Sequence, residues 1–234
     1  MAAAPGTAPL LIACALGIER FALRSGDHSG APGPVTVLRT GMGPQAAERA
    51  VAGALGAPSA AGAAVIATGF CAGLAPGMHP GDVVVADETR DRDGNTACTG
   101  PGILAKALAD IVGTRPGRTI HTGPLTGSDH VVRGAERAEL AAGGAIAVDM
   151  ESAVTLRSAV LAGPRPVAAV RVVVDAPEHE LVRIGTLRGG ISAFRVLRAI
   201  LPAFFEWHRS YCSPGGELDG HAAPPDHPGR DVSP

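Results

Sequence analysis

Four carboxylates stand where an apolar run gives way to a turn or helix. They are Glu19 after PLLIACAL, Asp149 and Glu151 on either side of Met150 in AVDMESAV, and Asp175 at the end of PVAAVRVVVD. Acids at a helix start often cap free N–H groups or offset the helix dipole. Asp149 fits that capping role. Glu151, two residues on, points another way and reads either as a first-turn acid or as a group with chemistry to do. A carboxyl group at the end of an apolar strand, such as Asp175, has surroundings that suit a proton donor at neutral pH. It also reads as a turn-former before Ala176–Pro177. Glu19 reads equally as a surface acid beside Arg20. Residue types alone leave each pair of readings open.

The elements that must position these acids follow from hydrophobic pattern. PLLIACAL, VTVLRT (Val35–Thr40), AAVIATGF (Ala63–Phe70), DVVVADE, RTIHTGPL, AIAV and PVAAVRVVVD read as strands. Between them, Gly17 to about Arg24, GMGPQAAERAVAGAL, PGILAKALADIV, RGAERAELAA and MESAVTLRSAVLA read as helices, the third with proline at its first turn where no N–H is needed. From Ile191, apolar residues recur at Phe194, Leu197, Leu201, Phe204 and Phe205, which predicts a last packed helix. Continuous apolar strands separated by helices predict an α/β sheet covered on both faces.

At 234 residues, 46% hydrophobic and only 3% aromatic, the chain suits one large domain with small residues packing helices onto the sheet. Its formal charge of −2 gives no electrostatic case for nucleic acid or acidic membranes as partners. No run is long enough to span a bilayer, so stable membrane insertion is not expected. Cys14, Cys71, Cys98 and Cys212 show no paired or metal-binding spacing, which predicts reduced thiols and a cytoplasmic protein without a bound metal. The N-terminal apolar run lacks a basic leader and reads as a strand rather than a secretion signal. The expected organisation is a flexible leader over 1–8, one domain over 9–212 and a disordered tail over 213–234. The tail is rich in Pro, Gly and Asp, and its His221 and His227 lack partner ligands.

Two glycine loops bear on function. In VTVLRTGMGPQAA, Gly41 and Gly43 follow a strand and open a helix, with Ala46 in the third place, as in dinucleotide-binding turns. That chemistry also needs an acid at the end of the next strand to hold a ribose, and that strand runs into Ala67–Thr68–Gly69 instead. The second loop, ATGFCAGLAPGMHPGDVVVADE, places small residues past a strand end, where backbone N–H groups can approach a ligand.

Six ordered motifs, CALGIER, TGMGPQAAERAV, TGFCAGLAPGMHPGDVVV, GSDHVV, AVDMESA and VRVVVD, resemble the purine nucleoside phosphorylase and nucleosidase superfamily. The likeness runs from about Pro9 to Ser210. It leans to the methylthioadenosine/S-adenosylhomocysteine nucleosidases, and further to the hopanoid-pathway enzymes that remove adenine from adenosylhopane. It implies a three-layer α/β/α fold with a mixed, partly barrel-like central sheet, a homodimer, and hydrolysis of an N-glycosidic bond without metal or organic cofactor.

The resemblance also implies roles for particular residues. Met150 would pack against the sugar and Glu151 would grip its hydroxyls, favouring an oxocarbenium-like transition state. Asp175 would be the general acid on the purine and Glu19 would activate water, one acid and one base on opposite sides of the bond. Cys71 and Ala72 would lie near base and sugar, with His130 and Val131 flanking the purine. The chain departs from the pattern at Val174 and Phe70, where the nucleosidases usually carry serines. Leu181, Val182, Ile184, Leu187 and Phe194 would face the 5′ side of the ribose, an apolar wall suited to a hydrocarbon substituent. Alternatives from the same pattern are a methylthioadenosine/S-adenosylhomocysteine nucleosidase, a phosphate-dependent phosphorylase, and a nucleoside-binding regulatory protein without turnover.

Overall fold

The computed structural model describes residues 8–112, 118–175 and 186–212. Eight strands form one mixed sheet: β1 (Leu10–Cys14), β2 (Val35–Arg39), β3 (Ala64–Gly73), β4 (Val83–Asp91), β5 (Gly94–Ala97), β6 (Ile120–Gly127), β7 (Ala147–Asp149) and β8 (Val167–Asp175). Strands β2, β1 and β3 run parallel at one side. From β3 the sheet closes on itself. The circuit runs β3–β7 (antiparallel), β7–β6 and β6–β4 (parallel), β4–β8 (antiparallel) and β8–β3 (parallel). Five strands thus make a barrel-like core, and the expected mixed, partly barrel-like α/β fold holds.

Alternation along the strands explains the layers. Leu10, Ile12 and Cys14 of β1, Ala64 and Ile66 of β3, and Ala168, Val170 and Val172 of β8 face one apolar cluster. Their neighbours Leu11 and Ala13, Val65 and Ala67, and Ala169 and Val173 face the other. A strand buried on both faces has no polar phase, so these segments read as unbroken apolar runs. The first cluster is covered by α1 (Gly17–Arg24), α3 (Pro101–Val112), α6 (Thr186–Ala199) and α7 (Leu201–Cys212). The second is covered by α2 (Pro44–Leu55) and α5 (Ser152–Leu161), while α4 (Ala135–Ala142) lies at the rim of the circuit.

Three details differ from the sequence reading. The last helix is two, α6 and α7, broken at Ile200 just before Pro202, whose ring cannot donate an interior helix bond. The apolar face continues across the break, with Val196, Leu197, Ile200, Leu201, Phe204 and Phe205 all buried. Strand β3 extends through Cys71–Ala72–Gly73, because this small-residue stretch is clamped by pairing with β7 and β8. A short exposed hairpin strand, β5, follows Arg92–Asp93 and pairs with the end of β4. Of the anticipated leader and tail, residues 1–7 and 213–234 lie outside the described residues, as do Leu181, Val182 and Ile184. No helix among the described residues is long and apolar enough to cross a membrane.

Candidate active site

A cavity of about 210 Å³ opens at the carboxyl ends of β1, β3 and β8, beside β7. Glu19, Cys71, Ala72, His130, Val131, Met150, Glu151 and Asp175, all singled out from the sequence, line it together. Phe70 and Val174, the two departures from the serine pattern, line it too, as do Leu16 and Met42.

Glu19 sits on the first turn of α1 and is 2% exposed. Its Oε2 accepts the Leu16 N–H at 2.8 Å and its Oε1 accepts the Phe70 N–H at 2.8 Å, so the carboxylate bridges the start of α1 and β3. The bridge explains Gly69 (φ +131°). A Cβ there would stand 2.5 Å from Glu19 Oε1 and 2.8 Å from Arg171 Nη1. Burial raises the Glu19 pKa, partly offset by Arg171 and by the backbone donors.

The two acids of AVDMESAV divide their work. Asp149 accepts the Ser152 N–H that opens α5, at 3.1 Å, and pairs with Arg171 Nε at 2.6 Å. Glu151 takes the backbone place before α5 without capping it by its side chain. It turns instead towards the cavity, where its Oε1 accepts the Gly43 N–H at 2.8 Å. Gly43 adopts φ +86°, a conformation that favours glycine, so the glycine turn after β2 serves to present an N–H to this acid. Burial raises the Glu151 pKa; Arg171 opposes that shift and Asp149 adds to it.

Arg171 was not singled out from the sequence. It is 1% exposed in the middle of β8 and donates to Ser152 Oγ at 2.8 Å and to the Thr68 carbonyl at 2.9 Å. Burial works against its charge, and Asp149, Glu151 and Glu19 more than offset this, so its pKa is raised. The available signal was an arginine inside VAAVRVVVD, since a buried guanidinium needs acid partners.

Asp175 ends β8 opposite Ala72, just past an irregularity in the pairing. Its Oδ2 accepts from Arg137 Nη1 at 2.9 Å. Arg137 is also a residue the sequence reading passed over, since on an amphipathic helix it looks like any exposed charge. His130 and Val131 stand at the mouth and are exposed. Both His130 ring nitrogens lie within hydrogen-bond distance of acids, Asp129 at 2.8 Å and Glu136 at 3.0 Å, which raise its pKa. Cys71 is buried, and burial pushes its thiol far above the ordinary value. Among the described residues no group of His, Cys, Asp and Glu side chains is placed to hold a metal ion.

The fold and this cluster of acids at the strand ends define a nucleoside phosphorylase or nucleosidase type of domain. Residues 20–201 match the family model described as the Phosphorylase superfamily, and the chain belongs to that family. Among solved structures it is similar to a 5′-methylthioadenosine/S-adenosylhomocysteine nucleosidase from Neisseria meningitidis in complex with methylthio-immucillin-A (TM-score 0.69, 21% identity, covering 85% of this chain and 99% of that one). It is also similar to an S-adenosylhomocysteine nucleosidase from Streptococcus pyogenes in complex with 5-methylthiotubericidin (0.70, 22%, 87% and 98%). A third is a methylthioadenosine/S-adenosylhomocysteine nucleosidase from Colwellia psychrerythraea in complex with adenine (0.67, 17%, 91% and 98%). No curated protein matches the chain.

Proposed function

We propose that this protein is a purine nucleosidase that hydrolyses the N-glycosidic bond of a 5′-substituted adenosine and releases adenine. The observation that carries this reading is the convergence of Glu19, Glu151 and Asp175, from three distant parts of the chain, on one cavity otherwise lined largely by apolar side chains. Asp175 gives a proton to the purine ring as the C–N bond breaks and its electrons pass to the base. Glu151 accepts hydrogen bonds from ribose hydroxyls and favours the electron-poor ring. Glu19 takes a proton from the attacking water, a task its burial-raised basicity suits. The solved relatives named as nucleosidases support the same chemistry.

Water rather than phosphate is the nucleophile in this reading. The described lining of the cavity contains four carboxylates and no lysine or arginine. A phosphate dianion would meet those acids with no lysine or arginine in that lining to offset them.

For the 5′ substituent we infer a large hydrocarbon, as in adenosylhopane. Met42 (62% exposed) and Val131 (59%) line the cavity, and Ile18 (55%) and Phe21 (66%) stand exposed on the adjoining α1. Phe21 stacks on Phe194 of α6 at 6.0 Å between ring centroids. Exposed apolar groups grouped beside a cavity suit an apolar ligand, at about 0.8 kcal/mol per buried methylene. The side chain of Leu187 lies outside the described residues.

Incubation with adenosines carrying methylthio, homocysteinyl and long hydrocarbon groups at the 5′ carbon, with and without phosphate, tests all three points. The expected outcome is free adenine without phosphate and the highest kcat/KM on the hydrocarbon substrate. Sugar-1-phosphate products would transfer the chain to the phosphorylases. Equal or better turnover of the two thio-nucleosides would remove the hydrocarbon reading and leave the general nucleosidase.

A further inference from the structure

Arg137 is the buried residue of α4, a helix whose other side chains face outward or are half exposed. It is 8% exposed and reaches two acceptors from different strands. Nη1 donates to Asp175 Oδ2 at 2.9 Å and Nη2 donates to the Gly73 carbonyl at 2.8 Å. A guanidinium is a rigid planar fork, so two such bonds hold the Asp175 carboxylate in a set place relative to the end of β3. The other carboxylate oxygen, Oδ1, is buried with no hydrogen-bond partner among the described residues. Asp175 lines the cavity and its side chain is 19% exposed, so the carboxyl surface open to a ligand lies on the Oδ2 side rather than at Oδ1. The residue before Asp175 is Val174, which has no hydroxyl with which to orient the acid. Glu136, the neighbour of Arg137, contacts His130 Nε2 at 3.0 Å. One turn of α4 therefore ties down both the acid and the loop at the cavity mouth.

We propose that Arg137 is a positioning residue for Asp175, tethering its carboxyl group where it meets the purine and stabilising the carboxylate left when the proton departs. The inference rests on the reading of Asp175 as the general acid. In the step it serves, the proton leaves the Asp175 carboxyl group for a ring nitrogen of the base. The glycosidic electron pair goes to that base, and Asp175 becomes an anion. A cation already in place needs no reorganisation at that moment, which is where fixed charges help a reaction most.

The test compares Arg137→Gln and Arg137→Lys on two substrates with the same 5′ group. One is the adenosine derivative, whose leaving group needs a proton. The other is the 4-nitrophenyl riboside, whose leaving group is stable as an anion. For R137Q, kcat on the adenine nucleoside should fall roughly 10²-fold with KM little changed. Cleavage of the nitrophenyl riboside should change by less than about threefold. R137K keeps the charge but not the fork, so it should recover about half of the lost factor on a logarithmic scale. Parallel losses on both substrates, or native kcat in folded R137Q, would overturn the proposal. Should R137Q not fold, R137K carries the same leaving-group prediction at smaller amplitude, and a parallel loss there is equally fatal. Asp175→Asn separates this inference from the one beneath it. If D175N releases adenine normally, the general-acid reading fails and Arg137 falls with it. If D175N is inactive while R137Q is not, Arg137 alone is rejected.

Discussion

The two sides of the cavity hold their acids in opposite ways. On the β1–β7 side, Glu19, Asp149 and Glu151 share one guanidinium, Arg171, at 1% exposure. On the β8 side, Asp175 and Arg137 form a one-to-one pair among the described residues, with side-chain exposures of 19% and 10%. Three acids to one cation leave negative charge in excess, and burial then raises the Glu19 and Glu151 pKa values. The one-to-one pair is a balanced, part-buried contact. The excess suits groups that must accept protons or hydrogen bonds, and the balanced pair suits an acid that must be held still while its own charge changes.

Removing each cation separates the two designs most sharply. Arg171→Leu leaves three carboxylates buried around an empty charge site, and breaking a buried pair of this kind costs about 3–5 kcal/mol. Arg137→Leu leaves one part-exposed carboxylate and one carbonyl, a loss of roughly 1–3 kcal/mol. Denaturant unfolding of both variants checks the order. Adding Asp149→Asn to R171L should recover part of the loss, since it removes the most tightly paired acid. Equal destabilisation by the two leucine variants would show that the three-to-one cluster is no more dependent on its cation than the simple pair.

Proton linkage gives the next effect. For a carboxyl raised in the folded state, the folded form binds more protons than the unfolded one between the two pKa values. Stability from Glu19 is therefore fully present below the ordinary glutamate value and is lost as pH rises through the raised folded value. Native protein should lose stability relative to Glu19→Gln across that window and run parallel to it above. Activity should move the other way, because the base must be ionised. The acid limb of kcat/KM should lie above the ordinary glutamate value, as a property of Glu19 and Glu151 together. Thermal melts and rate profiles from pH 4 to 8 read both. An acid limb at the ordinary glutamate value would contradict the account in which burial raises these acids.

The same contrast governs what could be read from sequence. Helices α1 and α3 match their predicted spans because local signals agree, with apolar period, an early acid in one and Pro101 at the start of the other. The hairpin strand β5 escaped because GNTA is almost wholly exposed and carries no apolar phase. The β2–α2 glycine turn looked like a dinucleotide loop without the acid that such a loop needs, and the structure shows its N–H aimed at Glu151 instead. The cavity acids were found because their motifs lie at strand ends, where a family resemblance and the physics of burial agree. Their cations were missed for two reasons. Arg171 hides in an apolar run whose partners are remote in sequence, and Arg137 sits 38 residues from Asp175 on a helix with ordinary charge spacing. Pairing across the fold is what a single sequence conceals.

The smallest effect belongs to the exposed ion pairs at the cavity mouth. His130 contacts Asp129 and Glu136 at distances like those of the buried pairs, yet its side chain is 57% exposed. The two acids raise its pKa by hydrogen bonding, so it keeps its charge to a higher pH than a free histidine. Water and salt screen such a cluster within about 10 Å at 0.1 M ionic strength, and long side chains lose freedom to hold it. His130→Gln keeps the polar reach and removes the titration. Stability should be unchanged across pH, and kcat/KM should fall by less than about fivefold, with the difference shrinking as salt is raised. A loss beyond tenfold that survives high salt would mean that His130 touches the purine directly. The mouth of the cavity would then have to be counted with its buried walls.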